Sequence, residues 1–154
     1  MVMKVLLVLL LIGLAVCLFF AYLSMTARAP ESGLLEGRLR SCPEKPNCVC
    51  SEPETQASHR VQPLRFSGSS TRAWLKLQQK LSAMGGIVVA EQPGYLHVEF
   101  RSRIFRFVDD LELRLQEQDG LIHVRSASRV GYSDFGVNRK RVDKLRTIVE
   151  EPLI

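Results

Sequence analysis

Seven side chains in the last third of the chain could together hold an anion: Arg125, Ser126, Ser128, Arg129, Tyr132, Arg139 and Arg141. Arginine forks grip carboxylate or phosphate through paired N–H donors. A helix beginning just after Asp134 would add free backbone donors. The decapeptide Arg125–Asp134 is polar and hinged at Gly131, although it follows a segment that should lie in a sheet. The alternative is a surface network in which Asp109, Asp110, Glu112 and Asp134 occupy the same arginines.

Asp109 is the second candidate, because it falls on an otherwise apolar strand face. A carboxylate there must be paired or have a shifted pKa. With Asp110, Ser128 and Arg129 it forms a candidate buried polar network, with Arg129 or Arg106 as its cation. It either locks the Ser128–Asp134 loop onto the sheet or serves a catalytic site. His97 beside Asp110 reads as an oriented general base or as an exposed cross-strand pair. Cys42 and Cys48 are disulfide candidates in an oxidising compartment. Cys42, Cys48, Cys50 and His59 have the ligand types of a zinc site, but C-x-C is not a usual structural spacing, so no metal is assigned. A redox pair at Cys48 and Cys50 lacks the C-x-x-C motif. His123 carries no signal beyond its type. No Ser-His-Asp order, Gly-rich phosphate loop or glycosidase carboxylate pair is present, and no cofactor is implied.

The elements that position these residues follow from periodicity. Ser70 or Thr71 caps a helix whose Trp74, Leu77, Leu81 and Met84 share one face, and Gly85–Gly86 ends it. Four strands follow, over residues 87–91, 95–101, 106–116 and 121–128. Leu96, Val98 and Phe100 face inward, as do Phe107, Asp109, Leu111, Leu113 and Leu115, then Ile122 and Val124. A last helix over 137–150 turns Val142, Leu145 and Val149 to the core, with Ser133 or Asp134 at its start. Arg139, Lys140 and Arg141 then sit in early turns, where cations oppose the macrodipole.

Matching the inward residues sets a register. The second hairpin opposes Leu113 to Val124, Glu112 to Arg125 and Asp109 to Ser128. The first opposes Phe100 to Phe107, Val98 to Asp109 and His97 to Asp110. It also sets Arg101 against Arg106 with Arg103 between them, an unfavourable like-charge arrangement unless it is solvated or bridged by an anion. The fold class is α+β: a four-stranded antiparallel meander with two helices packed on one face, preceded by a single transmembrane helix.

That helix is the uncharged run Val5–Leu23. A span needs roughly 20 apolar residues and a cleavable signal core only about 7–15, so a retained anchor is favoured over cleavage near residues 26–29. Acylation at Cys17 is excluded by bulky Val16 and by the apolar residues that continue the span. The chain divides into a signal-anchor (1–25), a juxtamembrane linker (26–41) broken by Pro30, Gly33 and Gly37, and a domain (42–154). Residues 41–54 carry three prolines and read as a cross-linked or ligand-bearing loop rather than a regular element. Orientation draws opposed signals. Arg28, Arg38 and Arg40 would favour a cytoplasmic domain, whereas the short N-terminal stub and the cysteines favour the extracytoplasmic, periplasmic side of the inner membrane. The net charge of +5 suits an anionic partner or membrane surface. Its interspersed acids and the missing motifs argue against nucleic acid.

The ordered motifs Cys42-Pro43-x-x-Pro46-Asn47-Cys48-Val49-x-Ser51, Tyr95-Leu96-His97, Phe100-Arg101-Ser102, Phe105-Arg106-Phe107-Val108-Asp109-Asp110, and Val124 through Arg141 together resemble the domain-of-unknown-function 1499 family. The resemblance covers nearly everything after the anchor. It implies a small domain, often behind a signal or anchor, in bacteria and plastid-bearing lineages, and it brings no activity or catalytic residue. Cys50 stands where that motif leads one to expect serine. The resulting expectation is a membrane-anchored, non-enzymatic module whose Arg/Ser/Tyr loop binds an anionic small molecule, a lipid headgroup or an envelope partner. The rivals are an enzyme using Asp109 or His97 with arginine clamps, and a structural protein in which the motif is only a folding lock.

Overall fold

The computed structural model describes residues 1–27 and 30–150. A long apolar helix, α1 (Val2–Thr26), is followed by a short hairpin of β1 (Leu34–Leu35) and β2 (Arg38–Leu39). Then come β3 (Cys48–Cys50), β4 (Leu64–Arg65), α2 (Ser70–Ala83), β5 (Ile87–Gln92), β6 (Tyr95–Arg101), β7 (Val108–Gln116), β8 (Leu121–Ser128) and α3 (Val137–Glu150). The main sheet runs β3-β8-β7-β6-β5, all antiparallel, and β4 also pairs with β8. It therefore has six strands rather than the expected four. The segment read as an irregular Pro-rich loop contributes β3 because its prolines flank the strand: Pro43 and Pro46 precede Cys48, and Pro53 follows Cys50. No ladder donor is lost at an edge strand so placed.

The second hairpin has the expected register, with Leu113 opposite Val124, Glu112 opposite Arg125 and Asp109 opposite Ser128. The first is displaced by two residues. Phe100 opposes Asp109, His97 opposes Glu112, and Arg101 opposes Val108 rather than Arg106. The cause lies in the turn, where the Ser102 N–H donates to Phe107 O (2.8 Å) and the Phe107 N–H to Ser102 Oγ (2.9 Å). That closure removes residues 102–107 from the ladder. A shift of two leaves every side chain on its face, as the two-residue pleat requires. Phe107 leaves the inner core and packs its ring against Phe105 and against Phe20 of α1.

One apolar core joins Leu77 and Leu81 of α2 and Val142, Leu145 and Val149 of α3 to the inward residues of β6, β7 and β8. Ser69, one residue earlier than expected, caps α2 by accepting from the Arg72 N–H. Asp134 caps α3, accepting from the N–H groups of Gly136 (3.0 Å) and Asn138 (2.7 Å). The opposite sheet face is also buried. The β1–β2 hairpin lies against β7 and β8, the Gly33 N–H donates to Glu112 (2.8 Å), and Glu52 bridges Leu39 N to Arg114. Tyr95, His97, Asp110, Glu112, His123 and Arg125 are buried beneath that cover. α1 is long and apolar enough to cross a membrane.

Candidate functional site

Strand alternation divides the seven candidate residues between two networks and the surface. On the inner face, Asp109 accepts from Ser128 Oγ and from Arg141 Nη2, each at 2.6 Å. Arg141 Nη1 also donates to Asn138 Oδ1 (2.6 Å) and Ser126 Oγ (3.0 Å), and its guanidinium stacks 4.6 Å from the Phe100 ring centroid. Asn138, fully buried, donates through Nδ2 to Ser128 Oγ and to the carbonyl of Asn47. Asn47 Nδ2 in turn donates to the Gly131 carbonyl at 2.9 Å. The network thus ties α3, the β8–α3 loop and the start of β3 to the sheet. The cation on Asp109 is Arg141, neither Arg129 nor Arg106. Arg129 Nε sits one residue beyond Ser128, on the other face.

The outer face carries a ladder of ion pairs. Arg129 forks onto Asp110 at 2.8 and 2.7 Å and also contacts Glu99. Arg125 Nη1 donates to Glu112 Oε2 at 2.5 Å, while Glu112 Oε1 accepts from Tyr95 Oη and Gly33 N, both at 2.8 Å. Arg114 forks onto Glu52 at 2.8 and 3.0 Å, with His123 3.6 Å from the same carboxylate. His97 reaches Asp110 diagonally, Nε2 to Oδ1 at 2.7 Å. The pair is buried, not exposed, and Arg129 lies on the same carboxylate.

These contacts set the electrostatics. Burial acts most strongly on Asp110 and would raise its carboxyl, but hydrogen bonds from Arg129 and His97 outweigh it and hold the pKa below the usual range. Glu52 behaves alike: burial opposes, and the Arg114 fork with the Leu39 N–H prevails. Burial pushes the His123 imidazole down despite Glu52 nearby. Burial, with Glu112 beside it, pushes the Tyr95 phenol up. Hydrogen bonds that Arg129 donates to the Asp110 carboxylate, and to Glu99, raise its own pKa against the opposing effect of burial.

Chemistry would need one of these groups to reach a substrate. Both Asp109 oxygens are taken by partners, His97 lies beneath the covering segments, and Asp134 already occupies the α3 N-terminus. Tyr132 is exposed and apart from either network. Arg139 donates to the Arg60 and Ser58 carbonyls. Cys42 and Cys48 form a disulfide, and His59 Nδ1 lies 2.9 Å from the Cys48 carbonyl. Among the described residues no group of three or more His, Cys, Asp or Glu is placed for a metal. Cys50 is a free, buried thiol packed with Leu39 and Tyr95, and burial raises its pKa. A cavity of about 320 Å³ adjoins Arg125, lined also by Glu31, Arg40, Ser41 and Cys42, and another of about 330 Å³ is lined by Arg38, Glu52, Arg114 and His123. The Nε atoms of Arg40 and Arg125 are buried without a protein partner.

Sequence reasoning missed Asn47, Asn138, Glu52 and Arg114. The two asparagines lie within the motif stretches that carry the family resemblance, and are buried polar residues on short spacings from Cys48 and Arg141. Glu52 and Arg114 gave no signal, because their pairing spans 62 residues.

The described residues thus form an α+β fold with a paired polar network on each sheet face, behind one apolar helix. The model of the protein of unknown function family DUF1499 matches residues 38–149, and the chain belongs to that family. No curated protein and no solved structure matches it.

Proposed function

We propose that this is a membrane-anchored, non-enzymatic module whose Arg125–Asp134 stretch is a folding lock, leaving partner binding to other surfaces. The observation that carries this reading is the pairing of the arginines in and beyond that stretch: Arg125 with Glu112, Arg129 with Asp110 and Glu99, and Arg141 of α3 with Asp109. Donors so engaged are not free to grip a ligand. Residues 1–25 act as the anchor. Within 26–41, the 34–39 hairpin serves as cover for the polar sheet face rather than as a loose tether. The Cys42–Cys48 disulfide supports an oxidising compartment, hence the periplasmic side of the inner membrane.

Two measurements test this reading. A C-terminal alkaline phosphatase fusion should be active, and a C-terminal fluorescent-protein fusion dark; the reverse pattern puts the domain in the cytoplasm. A thermal-shift screen of the full chain in detergent, against inorganic phosphate, citrate and glycerophosphate headgroups, should leave the midpoint unchanged.

A second reading rests on the 320 Å³ cavity and the unpartnered Nε atoms of Arg40 and Arg125. It makes that cavity, rather than the Ser/Tyr loop, the seat of a small anion. A midpoint raised by one of those anions in the wild type, and not in Arg40→Ala, would favour it.

A further inference from the structure

The docking of α1 onto the domain fixes which end of the domain faces a membrane. The ring of Phe20 lies 5.2 Å from Phe105 and 5.8 Å from Phe107, and Ser24 Oγ donates to the Arg106 carbonyl at 2.5 Å. At about 1.5 Å per residue, residues 5–23 extend roughly 28 Å, against a hydrocarbon core of about 30 Å. Phe20 is three residues inside the end of that run, so it lies about 4.5 Å below its boundary. The rings it touches share that depth, and the β6–β7 turn (102–107) is held at the level of the lipid headgroups.

The composition of that sheet end fits such a position. Arg103 and Arg106 form no ion pair among the described residues, and Arg101, paired with Glu99, is partly exposed. Ile104 at the turn's tip is 77 % exposed. Because the Arg129 N–H donates to the Val108 carbonyl (3.0 Å), the loop after β8 leaves the sheet at the same end. It carries Tyr132 and Phe135, 73 % and 90 % exposed. Exposed aromatic and aliphatic tips beside unpaired arginines are the composition of an interfacial membrane surface.

We infer that the β6–β7 turn and the β8–α3 loop form a second, interfacial membrane contact, with Ile104 and Phe135 inserted and Arg103 and Arg106 on anionic phospholipid phosphates. The inference rests on the reading of α1 as a membrane anchor. It also explains the accumulation of like charge in the turn, because lipid phosphates take the place of side-chain partners.

The test uses the full chain in phosphatidylglycerol–phosphatidylethanolamine vesicles containing lipids brominated near the top of the acyl chain. Trp74, the single tryptophan, is first replaced by Phe, and Ile104→Trp, Phe135→Trp, Val8→Trp and Gln118→Trp are made one at a time. The Ile104→Trp and Phe135→Trp variants should be quenched and blue-shifted; Gln118→Trp, in the turn at the opposite sheet end, should be neither. An unquenched Ile104→Trp beside a quenched Val8→Trp overturns the inference but leaves the anchor standing. If Val8→Trp is also unquenched, the anchor fails and the inference with it. Adding Arg103→Gln and Arg106→Gln should cut quenching at position 104 by about twofold in these vesicles and leave it unchanged in phosphatidylcholine. Quenching indifferent to these arginines overturns the headgroup assignment.

Discussion

Arg141 of α3 reaches over the inner sheet face to Asp109 of β7 at 2.6 Å, 32 residues away in sequence, and both side chains are largely buried. The contact makes a carboxylate compatible with an apolar face. It also places a cation in the first turns of a helix, where the macrodipole alone would oppose it.

Removing one partner strands the other. Arg141→Ala should destabilise the domain by about 3 kcal/mol, the lower end for a broken buried pair, since some exposure remains. The double replacement Arg141→Met with Asp109→Leu should recover much of that loss. Urea denaturation of both proteins measures this; a single variant as stable as wild type would dispose of the lock.

Stability should fall in acid in two steps. The His123 pKa is depressed by burial, so the fold holds it neutral. Its contribution is complete above the unfolded value of about 6.5 and is lost as pH falls through the folded value. Asp110 and Glu52 are also depressed; their contributions are complete above about 4 and are lost as pH falls through their folded values. Midpoint against pH should therefore show an upper step that His123→Gln removes and a lower step that it leaves. A profile unchanged by His123→Gln would contradict the assignment.

The Cys42–Cys48 disulfide closes a short loop that starts β3. Cys42→Ser should cost roughly 2–3 kcal/mol by loop entropy, and reductant should lower the wild-type midpoint without affecting the variant. Buried Cys50, its thiol pKa raised by burial, should react slowly with iodoacetamide until the domain unfolds. Mass spectrometry after timed labelling separates these cases.

Gly86 sets the approach of α2 to the sheet. An added Cβ would fall 2.6 Å from Val98 Cγ1 and 2.9 Å from both the Leu81 carbonyl and Phe100 Cζ. Gly86→Ala should destabilise by about 1–3 kcal/mol through overpacking. A melting temperature equal to wild type would show that α2 can withdraw freely.

Much of the fold was legible because alternation and helical spacing are local properties. The β7–β8 register follows from matching apolar faces around the Gly120 turn, and it is observed residue for residue. The β6–β7 register slipped by two because face matching cannot distinguish even shifts, and the longer turn was set by the hydrogen bond that Ser102 Oγ accepts from the Phe107 N–H. β3 was hidden by prolines that flank it without entering it.

Residue order was enough to set the inward faces of β7 and β8 from Asp109 and Ile122 onward, the span of the helices to within a few residues, and the need of Asp109 for a partner. It could not determine which cation that partner is, nor that the polar face is covered. Arg141 meets Asp109, and Gly33 and Glu52 close over Glu112 and Arg114, through contacts 32, 79 and 62 residues apart. Period and propensity act over a few residues, whereas these pairings exist only once the sheet has brought distant segments together. Tertiary structure therefore decided that the arginines of the motif are held by the protein itself.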